Sequence, residues 1–141
     1  FLADARKHGT VITCGGGRPH ATGYYLEPTV LLDPPKDGRC WREEIFGPVV
    51  AIAPFDDEAQ MLREVNASPY GLSGSIWTQD MARGIRVARG VEGGNLSVNS
   101  HSSVRYSTPF GGFKQSGLGR ELGPAAPLHF TETKNVFFAS E

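Results

Sequence analysis

The segment from Glu43 to Pro48 combines residue types that could bind a ligand. Two carboxylates, Glu43 and Glu44, precede an aliphatic residue, an aromatic residue and a Gly-Pro pair, after which an apolar run begins at Val49. Gly47 permits backbone turns that are closed to other residues, and Pro48 fixes φ, so the segment is expected to hold a defined shape. A carboxylate held there could accept hydrogen bonds from the hydroxyl groups of a ligand. On these residues alone, a solvated acidic loop that leads into a strand is an equally good interpretation.

The other candidate motifs favour structural roles. The triple glycine Gly15–Gly17 is not followed by Lys-Ser/Thr or by a predicted helix, as a phosphate-binding loop would require. Cys14 and Cys40 form neither a disulfide framework nor a zinc site, and both are predicted to be reduced thiols. The sequence therefore predicts no metal site and no cysteine nucleophile.

Composition excludes several classes of partner. The 141 residues suffice for one ordinary domain, and 14 basic against 15 acidic residues give a net charge of −1. Arg83, Arg86 and Arg89 share one side of a predicted helix, where a solvated face is favoured over an RNA-binding face. We therefore predict no nucleic-acid partner. No apolar run approaches a membrane span and no secretory signal is visible, which predicts a cytoplasmic protein without a membrane partner. Because Phe1 lies inside an apolar pattern already under way, we expect a fragment.

Hydrophobic periodicity predicts an α/β fold. Strands are predicted at residues 10–14, 28–32, 49–53, 72–77 and 94–98. Asp57 and Asp80 are predicted helix N-caps between the last three strands. This order predicts a parallel βαβαβ sheet with right-handed crossovers. Ligands gather beyond the carboxyl ends of such strands, where Asn99 and an irregular segment at 100–119 follow.

Several ordered motifs carry a family resemblance. They are Glu44-Ile45-Phe46-Gly47-Pro48, Tyr70-Gly71-Leu72, Val98-Asn99, Pro109-Phe110-Gly111-Gly112-Phe113-Lys114, Ser116-Gly117, Gly119-Arg120-Glu121 and Thr131-Glu132 with Lys134. In this order they resemble the C-terminal part of an aldehyde dehydrogenase of the large NAD(P)-dependent superfamily. The matching pattern runs from Phe1 to about Phe138.

The resemblance implies roles for particular residues. Glu44 would accept hydrogen bonds from the nicotinamide ribose of NAD or NADP, and Phe46 would pack near the nicotinamide ring. The segment Ser100–Val104 would line the aldehyde entrance, with His101 and Val104 as substrate contacts. His101 could also be a general base, but pocket lining is favoured because the family's base lies elsewhere.

The loop motif is expected to be structural. Pro109–Gly117 would form a turn under the site, in which glycines allow close backbone approach. Lys114 would pack and bond locally.

The family chemistry requires residues that this chain does not contain. In the family, a cysteine thiolate attacks the aldehyde, hydride passes to NAD(P), and a glutamate-activated water hydrolyses the thioester to a carboxylic acid. Both residues lie upstream of the matching region in the family. The resemblance therefore implies no catalytic residue here and no activity for this chain alone.

The tail is expected to join subunits. We predict residues 1–127 to be the C-terminal part of the catalytic domain and 128–141 an oligomerisation strand. Val136, Phe137 and Phe138 are too apolar to leave bare, and unpaired strand edges attract another chain. Family tails of this kind pair within homodimers or tetramers. Pro124 and Pro127 interrupt the preceding segment, where relatives commonly carry a short helix.

Two alternatives stay open at this point. The chain could be a non-catalytic interaction module that pairs with full-length subunits through its tail. It could also belong to an acylating, coenzyme A-dependent semialdehyde dehydrogenase. In either case we expect the isolated chain to self-associate through exposed apolar faces.

Overall fold

The computed structural model describes residues 1–102 and 104–140. They divide into two compact units, Phe1–Ser68 and a second that begins at Pro69. The predicted boundary between residues 127 and 128 differs from this division and stays a prediction. Within the described residues, no helix combines the length and the apolar character needed to span a bilayer.

The first unit combines a three-stranded sheet with three helices. Its elements are α1 (Leu2–Lys7), β1 (Val11–Cys14), β2 (Thr29–Leu32), α2 (Arg39–Arg42), β3 (Val49–Ile52) and α3 (Glu58–Asn66). Strand β1 pairs antiparallel with β2, and β2 pairs in parallel with β3. The three strands predicted in this part of the chain are confirmed, with small changes at their ends.

A small core fixes the loop that precedes β3. Ala5, Leu31 and Cys40 are buried together, and Ile45 and Val49 pack against them. Because these residues come from α1, β2, α2 and the loop, the core ties the end of α2 to the start of β3. The candidate ligand-binding segment, Glu43–Pro48, is therefore anchored in its middle by Ile45 and at its end by Val49.

The second unit is built on a parallel strand pair. Its elements are β4 (Tyr70–Gly71), β5 (Ser73–Ile76), α4 (Met81–Gly90), β6 (Asn95–Val98), β7 (Phe113–Lys114) and a 3₁₀ helix (Ala126–Phe130). Strands β5 and β6 pair in parallel, with Ser75 opposite Ser97. Helix α4 packs on one face of this pair, since a Cβ atom at Gly84 would lie 3.2 Å from Val98 Cγ1. This is one βαβ unit.

The single parallel sheet predicted for residues 49–98 is not confirmed. Strand β3 pairs with the earlier strand β2, and β5 pairs with β6. The backbone N–H of Thr29 donates to Pro48 O at 2.8 Å, and that of Asp33 donates to Ile52 O at 2.7 Å. Hydrophobic periodicity gives each strand its length but does not specify which strand is its partner.

The beginning of the predicted tail strand is helical. Leu128–Phe130 belong to the 3₁₀ helix, with Pro127 in its first turn. The fixed φ of proline suits the first turn of a helix, so Pro127 starts a helical turn and does not interrupt one. Residues 131–140 form neither helix nor strand in this chain. Phe137 and Phe138 are 84% and 85% exposed there.

Candidate functional site

The turn between α2 and β3 separates its two carboxylates. Arg39 Nε and Nη2 donate to Glu43 Oε1 and Oε2 at 2.8 and 2.9 Å. The hydrogen bond from Arg39, assisted by its charge, lowers the pKa of Glu43. Glu44 is exposed and makes no hydrogen bond or ion pair with the described residues. Of these two carboxylates, Glu44 is therefore the one that a ligand can use.

The next two residues of the turn differ in the burial of their side chains. Ile45 packs against the core, whereas the Phe46 side chain is 91% exposed. Phe46 has φ 51°, in the left-handed region, which costs an L-residue about 1–2 kcal/mol. Bulky residues rarely adopt this conformation.

Gly47 does not play the predicted part. It lacks a left-handed φ, and a Cβ atom added to it would meet nothing closer than Ile45 O at 4.0 Å. The expectation that Gly47 supplies the unusual backbone conformation is wrong, because Phe46 adopts it. After it, the Val49 N–H donates to Gly47 O at 2.7 Å and β3 begins.

A second polar cluster lies at the carboxyl ends of β5 and β6. Asn99, with φ 54°, accepts from the Thr78 N–H through Oδ1 and donates through Nδ2 to Thr78 O, both at 2.9 Å. These two bonds hold the strand ends together. The loop that starts at Ser100 therefore leaves the sheet from a fixed point.

His101 and Val104 follow on this loop. The His101 ring lies 5.1 Å from the Trp77 ring, tilted by 55°, and His101 Nδ1 lies 3.4 Å from Ser75 Oγ. Val104 is 51% exposed. Ser103, inside the predicted entrance segment, lies outside the described residues.

The loop from Pro109 to Gly117 packs closely against the neighbouring backbone, and its predicted role as a turn under the site stays a prediction. Gly94 and Gly111 approach so closely that a Cβ atom at Gly94 would overlap Gly111 O. Lys114 Nζ pairs with Glu92 Oε2 at 2.7 Å. The Gly71 N–H donates to Ser116 Oγ at 2.9 Å.

Asn95 is a structural residue that the sequence reasoning missed. Its buried side-chain amide donates to Leu72 O at 2.9 Å and to Gly111 O at 2.8 Å. Asparagine is depleted in strands, and its presence inside the strand predicted at 94–98 was the available signal.

Neither cysteine is suited to attack a substrate. Burial raises the pKa of the Cys40 thiol, which disfavours the thiolate. Cys14 is exposed on β1, where its thiol lies 3.9 Å from Pro28 O. Among the described residues, no group of three His, Cys, Asp or Glu side chains could hold a metal ion.

Comparison with known proteins identifies the family of this chain. The profile described as "Aldehyde dehydrogenase family" matches residues 1–136. The chain belongs to the aldehyde dehydrogenase family. The predicted resemblance is thereby confirmed.

Relatives of this aldehyde dehydrogenase chain are longer than the chain itself. It is 40% identical over 138 residues to an aldehyde dehydrogenase of Emericella nidulans, which covers 98% of this chain and 28% of that protein. It is 41% identical over 140 residues to a betaine aldehyde dehydrogenase of Rhizobium leguminosarum bv. trifolii, covering 97% and 29%. The chain thus spans less than a third of the length of these relatives.

The fold is also that of aldehyde dehydrogenases. The crystal structure of Mycobacterium tuberculosis aldehyde dehydrogenase complexed with NAD+ matches with a TM-score of 0.86 at 41% identity. The match covers 93% of this chain and 27% of that one. The mixed α/β class predicted from the sequence is confirmed.

The predicted site residues of this aldehyde dehydrogenase chain fall in two places. Glu44 and Phe46 share the turn before β3 in the first unit, and His101 and Val104 share the loop after β6 in the second. Their assignments to cofactor and substrate stay predictions.

Proposed function

We propose that this chain supplies cofactor and substrate contacts to an enzyme that oxidises an aldehyde to a carboxylic acid with NAD or NADP. The observation that carries the proposal is the turn that exposes Glu44 and Phe46 together while Glu43 and Ile45 are held. A turn of this kind costs conformational energy and displays one acceptor and one aromatic ring.

Glu44 fits the nicotinamide ribose. A carboxylate offers two acceptor oxygens, and the two hydroxyl groups of a ribose are both donors. Glu44 has both oxygens available among the described residues, whereas those of Glu43 are occupied by Arg39. When bound, NAD(P) accepts the hydride that leaves the aldehyde carbon.

Phe46 fits the neighbourhood of the nicotinamide. Its ring is almost fully exposed, and its position is set by Ile45 on one side and by the start of β3 on the other. An aromatic ring held this way would pack near a planar group without much loss of side-chain entropy.

The covalent chemistry is assigned to other parts of the enzyme. We place the cysteine nucleophile and the glutamate base outside this chain, because burial suppresses the thiolate of Cys40 and no base lies within hydrogen-bond reach of Cys14 among the described residues. The cysteine would carry the acyl group as a thioester until water releases the acid.

We assign the substrate entrance to the loop after β6. His101 and Val104 are both exposed on it, and the Asn99–Thr78 bonds fix where it begins. The carboxyl ends of parallel strands are where α/β sheets bind ligands.

The tail is proposed to pair with a second subunit as a strand. Val136, Phe137 and Phe138 are at least 60% exposed and would become covered on pairing. Residues 132–140 make no backbone hydrogen bond with other described residues, so they could extend the sheet of a neighbour in a homodimer or tetramer.

The test replaces Glu44 by Gln in the complete gene product. Losing a charge-assisted hydrogen bond is expected to weaken NAD+ or NADP+ binding about 10- to 100-fold by titration calorimetry. Glu43→Gln is the matched control, because that carboxylate already binds Arg39. Equal effects of the two substitutions, or a gene product that reduces neither cofactor with any aldehyde, would overturn the proposal.

A further inference from the structure

Three polar side chains form a line on the face of the β5–β6 pair opposite α4. The Ser97 hydroxyl donates to Ser100 O. Ser97 Oγ lies 3.2 Å from Ser75 Oγ, which in turn lies 3.4 Å from His101 Nδ1. Ser75 and Ser97 face each other because they are register partners in the parallel pair.

The direction of each hydrogen bond follows from counting protons. A carbonyl oxygen only accepts, so the single hydroxyl proton of Ser97 is committed to Ser100 O. Ser75 must then donate to Ser97, which uses its own single proton. Ser75 can only accept from His101, and Nδ1 must therefore carry a proton.

The protonation of the other ring nitrogen, Nε2, then depends on the charge of His101. In the neutral imidazole only one nitrogen is protonated, so a proton on Nδ1 makes Nε2 an acceptor. Nε2 has no partner among the described residues. It is available to a donor on a ligand.

We propose that Ser75 and Ser97 are positioning residues that hold neutral His101 with its proton on Nδ1, so that Nε2 selects aldehydes bearing a hydroxyl group. The proposal rests on the proposed function of the loop. Trp77 supplies the second element of recognition, since its indole is 60% exposed and lies beside the imidazole. A hydroxyalkyl chain would donate its hydroxyl proton to Nε2 and pack its carbons on the indole.

The tautomer is measured first, without any activity assay. Long-range ¹H–¹⁵N spectra of the complete gene product, labelled at histidine, distinguish the two nitrogens of each neutral imidazole at about pH 9. His101→Gln assigns the signal. We expect Nδ1–H in the unsubstituted protein and a mixture in Ser75→Ala or Ser97→Ala. A dominant Nε2–H form in the unsubstituted protein would overturn the proposal.

Selectivity is measured second, with 3-hydroxypropanal and butanal as a pair that exchanges a hydroxyl for a methyl group. His101→Phe is expected to reduce the ratio of the two kcat/KM values about fivefold, the equivalent of one ordinary hydrogen bond. Ser75→Ala should shift the ratio in the same direction and Ser75→Thr should restore it. Ser107→Ala, on the same loop, is the control.

The two measurements separate this inference from the function on which it rests. A protein without dehydrogenase activity that still shows the Nδ1–H form contradicts the proposed function alone. An active enzyme with the Nδ1–H form and an unchanged ratio in His101→Phe contradicts the selectivity.

Discussion

Replacing Asn95 by Ala tests how the glycine-rich loop is held against the strands. The Asn95 side chain is 5% exposed and donates one hydrogen bond to Leu72 O and one to Gly111 O. Alanine removes both donors without adding volume, so no clash complicates the result.

The cost can be worked out from what each carbonyl retains. Leu72 O keeps the backbone N–H of Asn95 at 3.0 Å, whereas Gly111 O has no second donor among the described residues. Two lost hydrogen bonds and one unsatisfied, partly buried carbonyl together cost about 2–3 kcal/mol. If the loop opens locally, this corresponds to roughly 30- to 150-fold faster amide exchange.

Hydrogen exchange on the complete gene product measures this effect directly. Peptides that cover residues 109–117 should exchange faster in Asn95→Ala, and peptides from the first unit should not change. Asn135→Ala is the control, because this exposed asparagine makes none of these bonds. Exchange within threefold of the unsubstituted protein would refute the reasoning, since the two bonds would then not hold the loop.

Three further predictions follow from individual residues. Gly94→Ala should destabilise the same loop by about 1–3 kcal/mol in hydrogen exchange, because its methyl group would overlap the Gly111 carbonyl. Arg39→Gln should return the lowered pKa of Glu43 towards its ordinary value in a ¹³C NMR titration. Because this pKa is lowered in the folded protein, the Arg39–Glu43 pair stabilises the fold above the ordinary glutamate pKa. The stabilisation is lost as pH falls through the lowered pKa. Iodoacetamide should modify exposed Cys14 at least about tenfold faster than buried Cys40 by mass spectrometry, and equal rates would contradict the raised pKa.

Local signals in the sequence predicted where helices α3 and α4 begin. Asp57 accepts from the Gln60 N–H at 2.5 Å, and Asp80 accepts from the Arg83 N–H at 3.2 Å, as expected of N-caps. Asp57 and Gln60 have the spacing of a capping box, but the Gln60 side chain donates to Glu64 at 2.8 Å and not back to the N-cap. Such features were predictable because each involves residues within one or two turns.

Strand pairing depends on distant residues and was less predictable. The partner of β3 is β2, 20 residues earlier by the register of Thr29 with Val49. The apolar patterns of β2 and β3 predict that both are strands, but such patterns do not specify that the two strands pair with each other. Asn95 shows the same limit, since its bond to Gly111 spans 16 residues.

For the two carboxylates at the candidate cofactor site, the structure distinguishes residues that the sequence alone could not. From the sequence, either Glu43 or Glu44 could face a ligand, and the family resemblance chose Glu44. Helix α2 decides the question physically, because Arg39 is four residues before Glu43 and reaches it across one turn. Helix α2 was not predicted, so the sequence alone could not tell Glu43, which binds Arg39, from Glu44, which does not.

The alternation in this turn follows from its backbone. Glu43 caps α2 in an extended conformation, with φ −110° and ψ 151°, so successive side chains then point in opposite directions. Glu43 faces Arg39 and Ile45 faces the core, which leaves Glu44 on the other side. Phe46 then adopts a left-handed φ before β3, and its phenyl ring lies outside the core. The two anchored side chains, Glu43 and Ile45, thus determine where the two exposed ones lie, and Phe46 with its left-handed φ is one of that exposed pair.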